Sequence, residues 1–570
     1  MAEGIVIDLG IMFVAAGALL LVANHFRLPT VPFYIIAGLG IGLTGLIEQP
    51  DLLMLAQWGI AFLVFVFSIR LDLGDVQSVL REGEVAAMTQ LIVVAPVAFV
   101  VGYAFGDLFG FDAPIRNAVY FSAAVTLSST IVGAGLLETE IRDNLVHGRL
   151  ASTIHFFDDL VAIGLLLVTS AAVITADLIA MSIGYGVVII LAGLLVYQHG
   201  FPLLVRAADG SDELVLMGSI SILVAFLAAA ELVGISMVVG AFAAGIGIRN
   251  DETQALAVAN GIDSIRDFFV AIFFVTVGAL VSIPTLEMGA IALALVALVI
   301  VVNPIVLMLA FVFEGYDTRT AFFAASGLNQ VSEFSLIIAI QAVLVTETIA
   351  EPMFDAIILA AAVTMILTAS ISRNERRIYE AIVPRFFAEQ RTDHVDRNSR
   401  TDEGLEDHVI VLGYGRQGRR VVETLENLGH PYVVIENDPV IQTRLEAECQ
   451  RYVFGDAMST YPWEKSRVDA ATLVISTADH RPVSEAVLGL SDTSDADLVL
   501  RSDDTDEARA LLEMGATYVV VPDILAGEQL FEVLEALLAG DRPPSSLKQD
   551  HLDTLSELER YGFSTLRERF

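Results

Sequence analysis

Lysine is nearly missing from this chain. Lys465 and Lys548 are the only two among 570 residues, and arginine supplies every other permanent positive charge. Acidic residues outnumber Lys and Arg by 69 to 32, a formal net charge of -37. Phosphate backbones need a basic surface, so nucleic acid is excluded as an expected partner. The same balance suits solubility at high salt, where carboxylates stay hydrated. One cysteine, Cys449, excludes an intrachain disulfide framework. The opening MAEGIVIDLG lacks the basic region of a secretory signal, and its apolar run reads as a first membrane span.

Apolar residues are plentiful. They make up 55 % of the chain, with a mean hydropathy of +0.68, too apolar for a soluble protein of this length. Hydrophobic runs of about 20 residues recur as far as Ser372 and then stop. Beyond that point short β-like runs alternate with amphipathic segments. The expectation is a polytopic α-helical membrane domain (1–372), an Arg-rich juxtamembrane helix and linker (373–407), a Rossmann-like α/β domain (408–525) and C-terminal helices (526–570). Thirteen spans are expected, centred near Phe13, Ala37, Phe62, Ala95, Ala124, Leu160, Ile190, Leu223, Gly240, Phe273, Val299, Ser335 and Leu359. In that layout Arg27, Arg70, Arg81, Arg142, Arg149, Arg206, Arg249, Arg266 and Arg319 share one side, and Arg116 alone takes the other. The positive-inside rule makes the majority side cytoplasmic, with the N-terminus outside and the soluble domain inside.

Two spans carry weak points for a helix. AVTLSSTIVGAG (124–135) threads hydroxyls and glycines through the fifth, and AASGLNQVSEF (324–334) interrupts the twelfth. Broken backbone at membrane depth is tolerated only inside protein or beside a water-filled cavity. Paired interruptions mark the site of an inverted-repeat transporter. Between them STIHFFDDLVAIG (152–164) places Asp158 and Asp159 side by side. A carboxylate near a bilayer centre costs roughly 3 kcal/mol on insertion scales, and packing needs neither of these. On a helix the two point about 100° apart, and His155 lies over either one. A buried acidic pair that holds a proton or a monovalent cation, but not both, is a minimal exchange site.

These residues carry a resemblance. LPTVPFYIIAGLGIG, WGIAFLVFVFSIRLDL, LSST, GRLASTIHFFDDL, GISMVVGAFAAGIGI, FFVTVGALV and GLNQVSEFSLI follow in order the spans of the cation:proton antiporter superfamily, in its Kef-like branch. The resemblance covers 1–372. It implies a homodimer with a scaffold part and a moving core. It implies that Asp159 is the principal ion-binding acid, that Asp158 occupies the variable position before it, and that Ser128, Ser129 and Thr130 form the broken helix. Gln330 and Glu333 match a Gln-x-x-Glu in the second broken helix. Where many members carry lysine, VVNPIVLM puts Asn303, leaving Asp158 protonated or paired elsewhere.

In the soluble half HVIVLGYGRQGRRVVETLENLGHPYVVIEND has a strand, a G-x-G-x-x-G turn opening a helix, and an acid at the end of the next strand. Gly413, Gly415 and Gly418 admit a phosphate at a helix N-terminus beside Arg416 and Gln417, and Glu436 would accept from a ribose and disfavour a 2′-phosphate. With QRYVFGDA, TLVISTAD, DLVLRSDD and TYVVVPD the order resembles the TrkA-N, or RCK, domain. That resemblance implies an adenine nucleotide as regulator (NAD(H), AMP, ADP or ATP), with Asp456, Thr477 and Arg501 around it. The expected function is exchange of Na⁺ or K⁺ for H⁺ across the cytoplasmic membrane under nucleotide control. The alternative is a nucleotide-gated K⁺ channel, against which stands the lack of a TVGYG-type filter. An NAD-dependent enzyme is disfavoured, because no second catalytic domain follows the nucleotide fold.

Overall fold

The computed structural model describes residues 2–26, 28–47, 49–69, 83–142, 144–169, 176–248, 253–343, 349–387, 393–402, 404–492, 494–539 and 543–559. Arg27, Arg70, Arg81 and Arg249 of the predicted loop bias lie outside them. The chain divides into two compact units, Met1–Glu314 with Ala321–Phe386, and Gly315–Thr320 with Phe387–Phe570.

The first unit is helical throughout. Its principal helices are α1 (Ala2–His25), α2 (Thr30–Thr44), α3 (Gln49–Ile69), α4 (Glu84–Phe109), α5 (Pro114–Thr126), α6 (Thr130–Leu136), α7 (Val146–Thr169), α8 (Ala176–Leu195, continued by a π-helical turn Val196–Gly200 and the helix Phe201–Ala208), α9 (Asp212–Leu232), α10 (Met237–Ile246), α11 (Thr253–Ala279), α12 (Leu286–Glu314), α13 (Thr318–Ser326, which enters this unit at Ala321), α14 (Glu333–Gln341), α15 (Glu351–Ser372) and α16 (Glu375–Phe386). All thirteen predicted centres fall inside helices. Among the described residues, seven helices are long and apolar enough to cross a membrane. Large apolar side chains stay exposed along several of them, including Val100, Val188 and Leu293, as a lipid-facing surface requires.

Small residues decide how closely these helices approach. A Cβ at Gly38 or Gly42 of α2 would strike the carbonyl of Val275 or Ala279 on α11, and one at Gly278 would strike that of Ile35. Backbone therefore lies on backbone where α2 crosses α11, the packing that lipid-embedded helices favour because the hydrophobic effect cannot drive their association.

Two irregularities frame the interior. α4 and α12 each contain one π-helical turn, Gln90–Val94 and Leu298–Val302. Such turns widen the ladder to i→i+5 and cluster at functional sites. The broken spans predicted from LSST and GLNQVS are present. α5 stops at Thr126, and α6 restarts at Thr130 with the Ser129 hydroxyl accepting from Val132 N–H at 3.3 Å. α13 stops at Ser326, and α14 restarts at Glu333 with Ser332 accepting from Phe334 N–H at 3.0 Å. Serine serves both restarts because its short hydroxyl reaches the orphan N–H groups of a first turn.

The second unit holds a six-stranded parallel sheet, order β3-β2-β1-β4-β5-β6. The strands are β1 (His408–Leu412), β2 (Tyr432–Glu436), β3 (Tyr452–Phe454), β4 (Ala471–Ser476), β5 (Asp497–Arg501) and β6 (Tyr518–Val520). β1 is flanked by β2 and β4, with Val411 opposite Val434 and Leu412 opposite Ser476. The strand order reverses there, so a crevice opens at the carboxyl end of β1. β1 and β2 are buried along their whole length, as strands covered on both faces must be, and their sequences are correspondingly apolar.

Candidate functional site

The two breaks meet. Ser128 pairs with Val331 in an isolated antiparallel bridge, and Ser332 N–H donates to Leu127 O at 3.1 Å. Two half-helix ends and two half-helix starts therefore converge on one short crossing. Partial negative charge lies at Thr126 and Ser326, and partial positive charge at Thr130 and Glu333. The antiparallel sense of the bridge means that the two segments run oppositely through it.

α7 brings its acids to this crossing. The Asp158 carboxylate accepts from Ser128 N–H at 2.8 Å and from the Ser128 hydroxyl at 2.5 Å. Because that hydroxyl donates to Asp158, its oxygen accepts from His155 Nδ1 at 3.3 Å, which fixes the imidazole tautomer. Beside it the side-chain amide of Gln90 on α4 donates to Thr126 O. Asp159 has a sparser shell. Thr130 Oγ1 lies 3.2 Å from each of its oxygens and can give its one proton to only one at a time. Both acids are almost fully buried.

Glu333 stands across the crossing. Its Oε1 accepts from Ile131 N–H at 3.2 Å, so the first residue of α14 caps the start of α6. Gln330 donates to Ser129 O at 3.1 Å and to Gly327 O at 2.9 Å. Asn303 does not take the place of the family lysine beside Asp158; its amide donates to Leu328 O at 3.5 Å. The Asp158 carboxylate instead has Ser128, a neutral residue, as its hydrogen-bond partner.

The crossing is rich in oxygens that nothing satisfies. Gln90 Oε1, Thr126 Oγ1, Asn303 Oδ1, Asn329 Oδ1, Gln330 Oε1 and Glu333 Oε2 are buried without a hydrogen-bond partner. Buried polar atoms are rarely left so. Among the described residues, no group of three or more His, Cys, Asp or Glu is arranged to hold a metal ion. The chemistry offered is mixed carboxylate and neutral oxygen, which suits a weakly charged hard cation better than a transition metal.

Sequence reasoning missed Gln90, Thr364 and Thr368. Thr364 Oγ1 on α15 accepts from Val331 N–H at 3.1 Å, and Thr368 Oγ1 donates to Asn329 O at 2.6 Å. The signal for Gln90 was a lone amide in an apolar run, MTQLIVV; for the threonines it was hydroxyls four apart in VTMILTAS.

In the second unit the glycine turn has the expected form. Gly413 has φ +89°, a region that favours glycine, and Gly415 caps the helix Arg416–Leu428. A Cβ at Gly418 would strike Gly413 O, so the helix can seat on the strand only with glycine there. Glu436 ends β2 and lies buried against the turn. Its Oε2 accepts from Tyr414 N–H at 2.6 Å, and its Oε1 from Asn437 and Asp438 N–H at 2.7 and 3.0 Å. Burial pushes its carboxyl above the usual carboxylate range, and the three amides pull against that. The acid predicted for a ribose thus braces the turn itself, with lone pairs to spare. Thr477 donates to Leu412 O at 3.0 Å, and Asp456 accepts from Met458 N–H at 2.9 Å. Arg501 reaches Asp503 at 3.1 Å and Gln417 at 3.3 Å, which joins β5 to the start of the glycine-capped helix. Ser476 Oγ, at the carboxyl end of β4, is buried without a partner beside the crevice.

Known proteins give the same division. A family model described as sodium/hydrogen exchanger, transmembrane, matches residues 11–372, and one described as TrkA-N domain matches 409–522. The chain is 27 % identical over 563 residues to the putative K(+) efflux antiporter KefB of Alkalimonas amylolytica, covering 94 % of this chain and 82 % of that one. It is 24 % identical over 543 residues to the putative cation/proton antiporter YbaL of Escherichia coli, covering 91 % and 95 %. The sodium proton antiporter MjNhaP1 of Methanocaldococcus jannaschii shares the fold, with a TM-score of 0.51 at 14 % identity over 65 % of this chain and 96 % of that one. The chain belongs to the sodium/hydrogen exchanger family, in the Kef branch of the cation:proton antiporters, and carries a TrkA-N domain after its membrane helices.

Proposed function

We propose that this protein exchanges Na⁺ or K⁺ for H⁺ across the cytoplasmic membrane, as a homodimer, under control of an adenine nucleotide bound to its TrkA-N domain. The observation that carries the reading is the meeting of Asp158 and Asp159 with two broken helices at one buried crossing. An ionised carboxylate in low dielectric must be discharged, by a proton or by a cation. Asp158 accepts from both the backbone N–H and the hydroxyl of Ser128, whereas Asp159 shares a single hydroxyl proton. Asp159 is therefore the acid that trades H⁺ for the cation, and Asp158 is the fixed acceptor that holds the first break in place. The names of the relatives, one a K(+) efflux antiporter and one a cation/proton antiporter, support this exchange chemistry. Rocking of the crossing between two sides then moves whichever ion is bound.

Orientation follows from the arginine bias, which places the N-terminus outside and the soluble domain inside. In that domain the turn Gly413–Gly418 and the start of its helix would hold phosphate oxygens, with Ser476 and Glu436 toward a ribose and Arg501 at the far side of the crevice. The nucleotide supplies binding energy alone: it favours one arrangement of the domain and so biases exchange.

Proton flux into liposomes, driven in turn by Na⁺ and K⁺ gradients, tests the reading. Asp159→Asn should abolish exchange of either cation. Asp158→Asn should slow it or change its cation dependence. Native exchange by Asp159→Asn would sink the proposal.

A further inference from the structure

Gln90 takes part in no function derived so far from the sequence, yet it occupies a special place. It is 1 % exposed and is the first residue of the π-helical turn in α4. Its amide nitrogen donates to Thr126 O, the last carbonyl of α5. Turning the amide over would set its oxygen against that carbonyl, so the nitrogen must face it and Oε1 must face away. That Oε1 has no partner. Neither has Thr126 Oγ1, on the residue whose carbonyl Gln90 holds. Thr126 is 2 % exposed.

We infer that Gln90 Oε1 and Thr126 Oγ1 are neutral ligands of the transported monovalent cation, and that they set which alkali ion the site prefers. This rests on the exchange proposed above and names two of its ligands. Carboxylates alone would attract cations of any size and favour the most highly charged. Neutral oxygens add dipoles without adding charge, so they hold a dehydrated monovalent ion and discriminate by spacing. The anchoring of Gln90 fixes that spacing, because its amide ties α4 to the end of a half-helix. The hydroxyl of Thr126 can turn its lone pairs to an ion and its proton away. Asn303 repeats the arrangement in the second half: it directly follows the π-helical turn of α12, donates to Leu328 O and leaves Oδ1 bare. On its side the bridge N–H is held by the Thr364 hydroxyl, whereas on the other it is held by the Asp158 carboxylate, so the ion is drawn to the Gln90 side.

Full-length protein in liposomes is assayed for H⁺ flux against Li⁺, Na⁺, K⁺ and Rb⁺ concentration. Thr126→Val keeps the shape and removes the oxygen. Gln90→Leu removes both amide atoms, and Thr126→Ser restores a hydroxyl. Thr126→Val and Gln90→Leu are each expected to raise the cation KM about tenfold, the size of one lost ligand, with a smaller change in maximal rate. The order of preference among the four ions should change, and Thr126→Ser should recover the native order. Should Gln90→Leu fail to fold, the two Thr126 variants decide alone. Native KM and native order in folded Thr126→Val would overturn the inference, and would mean that the two oxygens face a structural water only. Asp159→Asn is run beside them. If it is inactive while Thr126→Val behaves as native, this inference fails and the exchange reading stands; if it exchanges normally, the exchange reading itself has failed.

Discussion

Glu333 closes the Gln-x-x-Glu of the second broken helix, and its geometry is that of a helix cap. Its Oε1 caps Ile131 N–H, 3.2 Å away, at the start of a half-helix with no solvent to replace it. Glu333→Ala leaves that buried N–H without an acceptor, a penalty of about 1–3 kcal/mol. It also removes a negative charge from the positive end of α6, worth about 0.3–1 kcal/mol and up to ~2 when buried. Glu333→Gln keeps an oxygen at the same reach and loses only the charge. The alanine variant should therefore melt clearly below the glutamine variant in detergent, and the glutamine variant should sit close to native. In liposomes Glu333→Gln should keep most of the native flux with an unchanged cation KM. Glu333→Ala should lose flux in step with its loss of stability. A Glu333→Gln protein that melts as native but carries no flux would refute the capping argument and make Glu333 a proton carrier.

Two further outcomes concern the soluble domain. Gly418→Ala places a methyl group against Gly413 O, and overpacking of that kind costs about 1–3 kcal/mol. The full-length protein should show a lowered melting transition for this domain, and native melting would contradict the packing argument. Cys449 is 2 % exposed, and burial pushes its thiol up to about 11. At pH 8 the folded protein should hold about a hundredfold less thiolate than an ordinary exposed cysteine, so iodoacetamide labelling should become fast only on unfolding. Rapid labelling of the native protein at pH 8 would contradict this.

Legibility differed between the halves for physical reasons. In the soluble domain the glycine turn, β1 and the acid closing β2 stand at their predicted positions, because a phosphate turn demands fixed residue types at fixed spacing. The use of Glu436 was not legible, since nothing local reveals that its carboxylate is claimed by three backbone amides. In the membrane half both breaks were readable, as Ser-Ser-Thr and Gly-Leu-Asn-Gln compete with helix wherever they fall. That the breaks pair through Ser128 and Val331, some 200 residues apart, follows only from tertiary packing. The π-helical turns leave no composition to detect, and Gln90 was hidden with one of them. Asn303 was found by its place in the family pattern, yet it binds a carbonyl on α13's side of the crossing rather than Asp158.

The two halves meet one backbone problem with different side chains. These two halves of the crossing, α4–α7 and α12–α15, each begin with a helix holding a π-helical turn, continue through a broken helix and end in a helix that supplies an acceptor. In the first half the bridge N–H of Ser128 goes to a carboxylate, Asp158; in the second the bridge N–H of Val331 goes to a hydroxyl, Thr364. The broken-helix carbonyls are held by matching amides, Gln90 on Thr126 O and Asn303 on Leu328 O. A threonine hydroxyl has no proton to trade near neutral pH, so the second half can hold the crossing without competing for the cation. A carboxylate at Thr364 would place another charge in a cavity that already holds Asp158, Asp159 and Glu333, and like charges at that depth could not all stay ionised. On the exchange reading proposed above, the asymmetry leaves one acid, Asp159, free to trade its proton while the framework around it keeps its hydrogen bonds.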